Sequence, residues 1–133
     1  MLPIHKFSLF PHEGPYETWG GVSQLLVDGV LTDHRIPGYV LVHQFSVGDG
    51  YLLLLNYDCP FEESIVAVRL NMQLHIITKN HFGFMNTTWD LQSISIEGPW
   101  IIDLYFGGGP SDWYRLELIE GSPKTLDYQI TKS

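Results

Sequence analysis

Residues 51–64 read YLLLLNYDCPFEES. The four leucines at 52–55 are followed by Asn56 and Tyr57, and the chain then breaks into a loop holding Asp58, Cys59, Pro60, Glu62 and Glu63. An apolar run this short, bounded by a turn signal, reads as a strand inside a packed sheet rather than a helix. A buried strand that feeds a charged, proline-stiffened loop is a common way to present a working surface on a rigid scaffold. The stretch therefore divides into a folding part, 51–57, and a candidate functional part, 58–64.

Working outward, the same strand grammar recurs. Residues 39–47 alternate on one face as Tyr39, Leu41, His43, Phe45 and Val47, and Gly48-Asp49-Gly50 turns them back into 51–57. These two strands are expected to be antiparallel neighbours at the centre of the sheet. After the acidic loop, 65–70 alternates again, Asn71-Met72 offers a tight turn, and 73–79 runs back. Toward the N-terminus, 22–27 and Val30-Leu31 flank Asp28-Gly29, the type I′ hairpin signal, and 34–38 reads as the next turn. Residues 2–10 read as a first strand. Toward the C-terminus, strands are expected at 91–96, 100–106, 113–120 and 126–131. Trp100, Ile102, Leu104 and Phe106 share one face of the second of these, and Tyr114, Leu116 and Leu118 share one face of the third. No window carries a sustained helical period with caps. About ten short strands with regular turn signals predict an all-β fold, a single-domain antiparallel sandwich or barrel with little or no helix.

Composition narrows the class. The chain has 133 residues, enough to bury one core without disulfides or metal. Four Trp, seven Tyr and seven Phe suit half-buried pleated surfaces. Seven basic residues against fifteen acidic ones give a formal charge of -8, which repels phosphate backbones and anionic lipid and favours a basic partner. Neither nucleic acid nor a membrane is expected as a partner. One cysteine rules out an internal disulfide and fits a reducing compartment. The N-terminal residues show no basic segment followed by an apolar one, so a cytoplasmic location is expected.

Two aromatic loops stand out. Residues 11–21, PHEGPYETWGG, carry Tyr16 and Trp19, and residues 80–90, NHFGFMNTTWD, carry His81 and Trp89. Together they could form the mouth of a small-molecule or carbohydrate site, because aromatic faces stack on sugar rings. The wider set Tyr16, Trp19, Trp89, Trp100, Trp113 and Tyr114 is otherwise core and rim. Cys59 is flanked by Asp58 and Pro60, and negative neighbours raise a thiol pKa, so it reads as inert. An enzyme would need His43, Cys59 or His81 to converge. No histidine pair has helical metal spacing and no HxH occurs, so neither a metal site nor a cofactor is expected. The glycines at 107–109 lack the GK[ST] ending of a phosphate loop. The acidic loop is the better candidate. Asp58, Glu62 and Glu63 can face Arg or Lys on a partner, with Phe61 as an aromatic anchor.

The turn Asp58-Cys59-Pro60-Phe61-Glu62-Glu63, taken with Gly98-Pro99-Trp100 and Asp112-Trp113-Tyr114-Arg115-Leu116, resembles small, acidic, all-β bacterial proteins of the toxin-immunity kind. The resemblance covers about a third of the chain. It implies a cytoplasmic binding protein that blocks a basic toxin domain, such as a nuclease. The leading expectation is thus a non-enzymatic interaction module that meets a basic protein partner through Asp58, Phe61, Glu62 and Glu63. The alternative is a ligand-binding barrel using Tyr16, Trp19, His81 and Trp89.

Overall fold

A computed structural model describes residues 1–59, 64–82, 90–107, 112–118 and 126–132. The strands in chain order are β1 (Leu2–Pro3), β2 (Phe7–Leu9), β3 (Val22–Val27), β4 (Val30–Pro37), β5 (Val40–Val47), β6 (Gly50–Asn56), β7 (Ile65–Asn71), β8 (Ile76–Phe82), β9 (Asp90–Gly98), β10 (Ile101–Gly107), β11 (Asp112–Leu118) and β12 (Leu126–Lys132). The only helical element among the described residues is a 3-10 turn at Tyr16–Thr18. The strands form three antiparallel sheets, ordered β1-β5-β6-β7-β8, β12-β11-β10-β9 and β2-β3-β4.

The five-stranded sheet is the middle layer of a sandwich. Its alternating residues Leu52, Leu54, Ile65 and Ala67 pack with Ile102, Leu104, Tyr114 and Leu116 of the four-stranded sheet. The opposite set, Leu53, Leu55, Val66, Val68 and Leu70, packs with Phe7, Leu25 and Ile36 of the three-stranded sheet. Two buried faces explain why the leucine run shows no polar alternation: all four side chains have 0% exposure. Burial of each stabilises the fold by roughly 1.5–3 kcal/mol.

Local chemistry sets the connections. The β3–β4 hairpin turns at Asp28 and Gly29, both with positive φ (50° and 81°), as a type I′ turn requires. At the β5–β6 turn, the Trp100 ring covers Gly48 and lies 5.7 Å from the Arg69 guanidinium carbon. That contact ties the β9–β10 turn to the middle sheet. On the outer face of the four-stranded sheet, Arg115 donates twice to the buried Asp103 carboxylate, at 2.8 and 2.9 Å. This hydrogen bonding holds the guanidinium pKa above its ordinary value.

Several boundaries differ from the sequence expectation. Residues 2–10 are two strands in two sheets, not one. The Gln44 side chain accepts from the Lys6 and Phe7 N–H groups and donates to the Phe7 carbonyl, which fixes the crossing between layers. Residues 34–37 continue β4 instead of turning, because Ile36 is needed in the core and Pro37 sits at the strand's end, where its missing donor does little harm. The strand expected at 73–79 is β8, which begins later, after a turn at Leu74, and runs on through His81 and Phe82. No described helix is long and apolar enough to cross a membrane.

Candidate functional site

Tyr39 and Tyr57 end up side by side because β5 and β6 pair antiparallel, with Val40 opposite Asn56. Tyr39 is the hub of an aromatic cluster. Its ring meets those of His12, Tyr16, Trp19 and Tyr57 edge-on, with centroids 5.0, 5.3, 5.1 and 5.7 Å away. His12 stacks on Trp19 at 4.9 Å, and Tyr57 stacks on His81 at 6.1 Å. Edge-to-face pairs add to the burial term, so the loop at 11–21 is held against the sheet although much of it is exposed.

Hydrogen bonds fix the same loop. Tyr39 Oη accepts from the Gly21 N–H at 2.6 Å. Trp19 Nε1 donates to the Gly14 carbonyl at 3.2 Å, and Thr18 Oγ1 donates to the Pro15 carbonyl at 2.6 Å. Tyr16 Oη donates to the Tyr57 carbonyl at 2.6 Å. That last bond joins the aromatic loop to the start of the acidic loop, where the Asp58 N–H donates to Asn56 Oδ1 at 2.9 Å and Asp58 takes a positive φ of 50°. Asp58 is exposed and Cys59 is half-buried.

The two sites read separately from sequence therefore share one corner of the sandwich. Tyr16 of the proposed ligand mouth lies beside Asp58 of the proposed partner loop, with Trp19 packed on Tyr16 and His81 on Tyr57. The Tyr16 phenol pKa is raised by burial first, then by Cys59, Tyr39, Asp58 and Tyr57, so the phenol stays protonated. Glu13 and Glu17 are exposed on the same loop. Phe61, Glu62, Glu63 and Trp89 lie outside the described residues. The rest of the aromatic set is dispersed. Tyr114 is in the core, Trp100 covers the β5–β6 turn, and Trp113 stacks on Tyr105 outside the four-stranded sheet.

The chemistry of the corner does not favour catalysis. Tyr57 Oη and His81 Nε2 are 3.0 Å apart. Burial, then Tyr39, raises the Tyr57 pKa, while burial, then Lys79, lowers that of His81. Both shifts keep the phenol protonated and the imidazole neutral, so neither partner of the pair is ionised. His12 Nε2 lies 2.9 Å from Ser23 Oγ, but Ser23 is buried and gives its only proton to the Gly38 carbonyl at 2.7 Å. The imidazole must then donate to Ser23, which is the reverse of nucleophile activation. His43 and His81 do not converge. The register runs from His43 to Leu54, Ala67 and Asn80, about 14 Å across three strand spacings, and His81 is the next residue along β8. His43 instead stacks on Phe45 and lines an apolar groove with His5, Ile94 and Ile96.

The space inside the cluster is taken by Tyr39 itself. A cleft of about 210 Å³ opens at the cluster's His12–Trp19 edge, lined by Phe10, Pro11, His12, Trp19, Val22, Gln24 and Arg35. Sequence reasoning passed over His12, Tyr39 and Tyr57. Counting back from the Gly48-Asp49-Gly50 turn sets Tyr39 opposite Asp58, and it is the bulge between Leu41 and His43 that brings it beside Tyr57.

Fold and site together define an all-β sandwich with an aromatic, acid-rimmed corner. Compared with known family models, with curated proteins and with solved structures, the chain matches none.

Proposed function

We propose that this chain is a non-enzymatic protein-interaction module that takes a basic protein partner at the Tyr16–Tyr57 corner. The observation that carries the reading is the 2.6 Å bond from Tyr16 Oη to the Tyr57 carbonyl, which makes the aromatic loop and the acidic loop one surface. Tyr and Trp anchors held in place by hydrogen bonds lose little conformational freedom on binding. Glu13, Glu17 and Asp58, with Glu62 and Glu63 following in sequence, supply the charge that steers and orients an Arg- or Lys-rich face. The toxin-immunity resemblance gives such a face an identity, a basic toxin domain met in the cytoplasm. The carbohydrate or small-molecule reading draws on the cleft beside Trp19. At about 210 Å³ that cleft falls below the roughly 300 Å³ at which ligand pockets begin.

The test is a titration with Arg/Lys-rich peptides and a purified cationic nuclease domain at low and moderate salt. One variant carries Glu17→Lys and Asp58→Lys. A control of equal charge carries Glu97→Lys and Glu117→Lys on the far sheet. Loss of at least tenfold in affinity at the corner, with little change in the control, supports the assignment. Equal losses in both would reduce it to net charge and overturn it.

A further inference from the structure

The topology brings together two other imidazoles that are 41 residues apart in sequence. His34 stands on β4 in the outer three-stranded sheet, and His75 stands in the β7–β8 turn of the middle sheet. Their ring centroids are 5.8 Å apart with the planes tilted by 56°. No local spacing announces this pair, because it is made by packing one sheet on another.

Both residues are held at the backbone. The His34 N–H donates to Thr32 Oγ1 at 3.2 Å, and Thr32 Oγ1 donates to the Leu25 carbonyl at 2.7 Å. Asn71 grips His75 from two sides. Its Oδ1 accepts from the His75 and Gln73 N–H groups at 3.0 and 2.9 Å, and its own N–H donates to the His75 carbonyl at 3.0 Å. Leu74, just before His75, takes a φ of 67°, an unfavourable conformation for a bulky residue, and its side chain packs on the core. The turn is thus fixed in a strained shape that sets His75 beside His34. Among the described residues, neither imidazole has a hydrogen-bond or ion-pair partner, and the two rings meet each other.

We propose that His34 and His75 form a two-imidazole site for a borderline divalent transition metal ion, namely Zn²⁺, Ni²⁺ or Cu²⁺. A metal–nitrogen bond of about 2.0–2.1 Å puts the ion about 3.2 Å from each ring centre, so two rings sharing an ion can stand up to about 6.4 Å apart. The observed 5.8 Å lies within that reach. Imidazole nitrogen suits these ions and does not suit Mg²⁺ or Ca²⁺. No group of three or more His, Cys, Asp or Glu side chains suited to a metal occurs among the described residues, so water completes the coordination. A bound ion would staple the outer sheet to the middle one.

The experiment uses the whole chain stripped of metal, titrated separately with Cu²⁺, Ni²⁺, Zn²⁺ and Mg²⁺. Thermal unfolding and the NMR signals of the six histidines are followed together. An ion that binds only the folded chain lowers the unfolding equilibrium constant about 100-fold at 100 times its dissociation constant. The expected result is a rise in midpoint with Cu²⁺, Ni²⁺ and Zn²⁺, tightest for Cu²⁺, and none with Mg²⁺. Ni²⁺ should broaden the His34 and His75 signals before those of His5, His12, His43 and His81. His34→Ala and His75→Ala should each weaken binding at least tenfold. Broadening that begins at another histidine, no binding at all, or unchanged affinity in the double variant would overturn the proposal. The wild-type NMR titration decides it even if a variant folds poorly.

Discussion

Strand β6 and the Tyr39 corner are built from the same currency, large apolar side chains, and use it in opposite ways. In β6 every residue from Gly50 to Leu55 is buried and packed on both faces. At the corner Tyr16 keeps 39% of its surface exposed, and its neighbours are held by edge-to-face ring contacts and hydrogen bonds from phenol, indole and hydroxyl groups. Apolar content alone therefore says little about where a protein works. What separates the two regions is the polar handle: leucine is held only by burial, whereas Tyr and Trp can be anchored by hydrogen bonds while facing water.

The sharpest way to test that contrast is to cut into β6 from each side. Leu53→Ala opens the core shared with the three-stranded sheet, and Leu54→Ala opens the one shared with the four-stranded sheet. Each should destabilise by about 2–5 kcal/mol in urea unfolding. A loss under 1 kcal/mol at Leu53 would mean that the outer three-stranded sheet is not an integral layer. Next in size comes Gly50→Ala. A Cβ there would stand 2.2 Å from the Leu70 carbonyl oxygen, so backbone must move, and the overpacking should destabilise by about 1–3 kcal/mol. The corner should respond more mildly. Tyr39→Phe keeps the ring contacts but removes the acceptor for the Gly21 N–H, for a loss of about 0.5–1.5 kcal/mol. Proteolysis should quicken within 11–21 and not in β6. Equal quickening in both would show that the corner and the core unfold as one unit.

The contrast also explains what could be read from sequence. β6, β7 and the hairpin at Asp28-Gly29 were legible because their signals are local, a run of apolar residues or a dipeptide that accepts positive φ. The buried faces Ile102–Leu104–Phe106 and Tyr114–Leu116–Leu118 were legible because strands have period two. The split of residues 2–10 was not, because it depends on Gln44, which reaches β2 from β5. Ile36 looked like part of a turn because Pro37-Gly38 follows it, yet the core needs it. At the site, Tyr16 and Trp19 could be named as pinned aromatics and Asp58 as a presented acid. Their union could not, since it runs through Tyr39 and a bond between Tyr16 and Tyr57 that no window of sequence contains.

The smallest effect separates the two regions by pH. His43, half-buried beside Phe45, and His81, stacked on Tyr57, both have imidazole pKa values lowered from 6.5, in each case chiefly by burial. The unfolded chain then binds more protons than the folded one just below that value. Their stabilising contribution is complete above the ordinary imidazole pKa and is lost as the pH falls through it toward the folded value. Stability should decline as the pH falls below about 6.5, and His43→Gln and His81→Gln should each flatten part of that decline. Only His81 should couple it to the corner, because its imidazole stacks on the Tyr57 ring and is in hydrogen-bond contact with Tyr57 Oη, so a charge gained there acts directly on the cluster. Acid should therefore quicken proteolysis of 11–21 in the wild-type chain and in His43→Gln, but change it far less in His81→Gln. If His43→Gln abolished the acid effect on that loop instead, the corner's order would depend on the sheet beneath it rather than on its own hydrogen bonds.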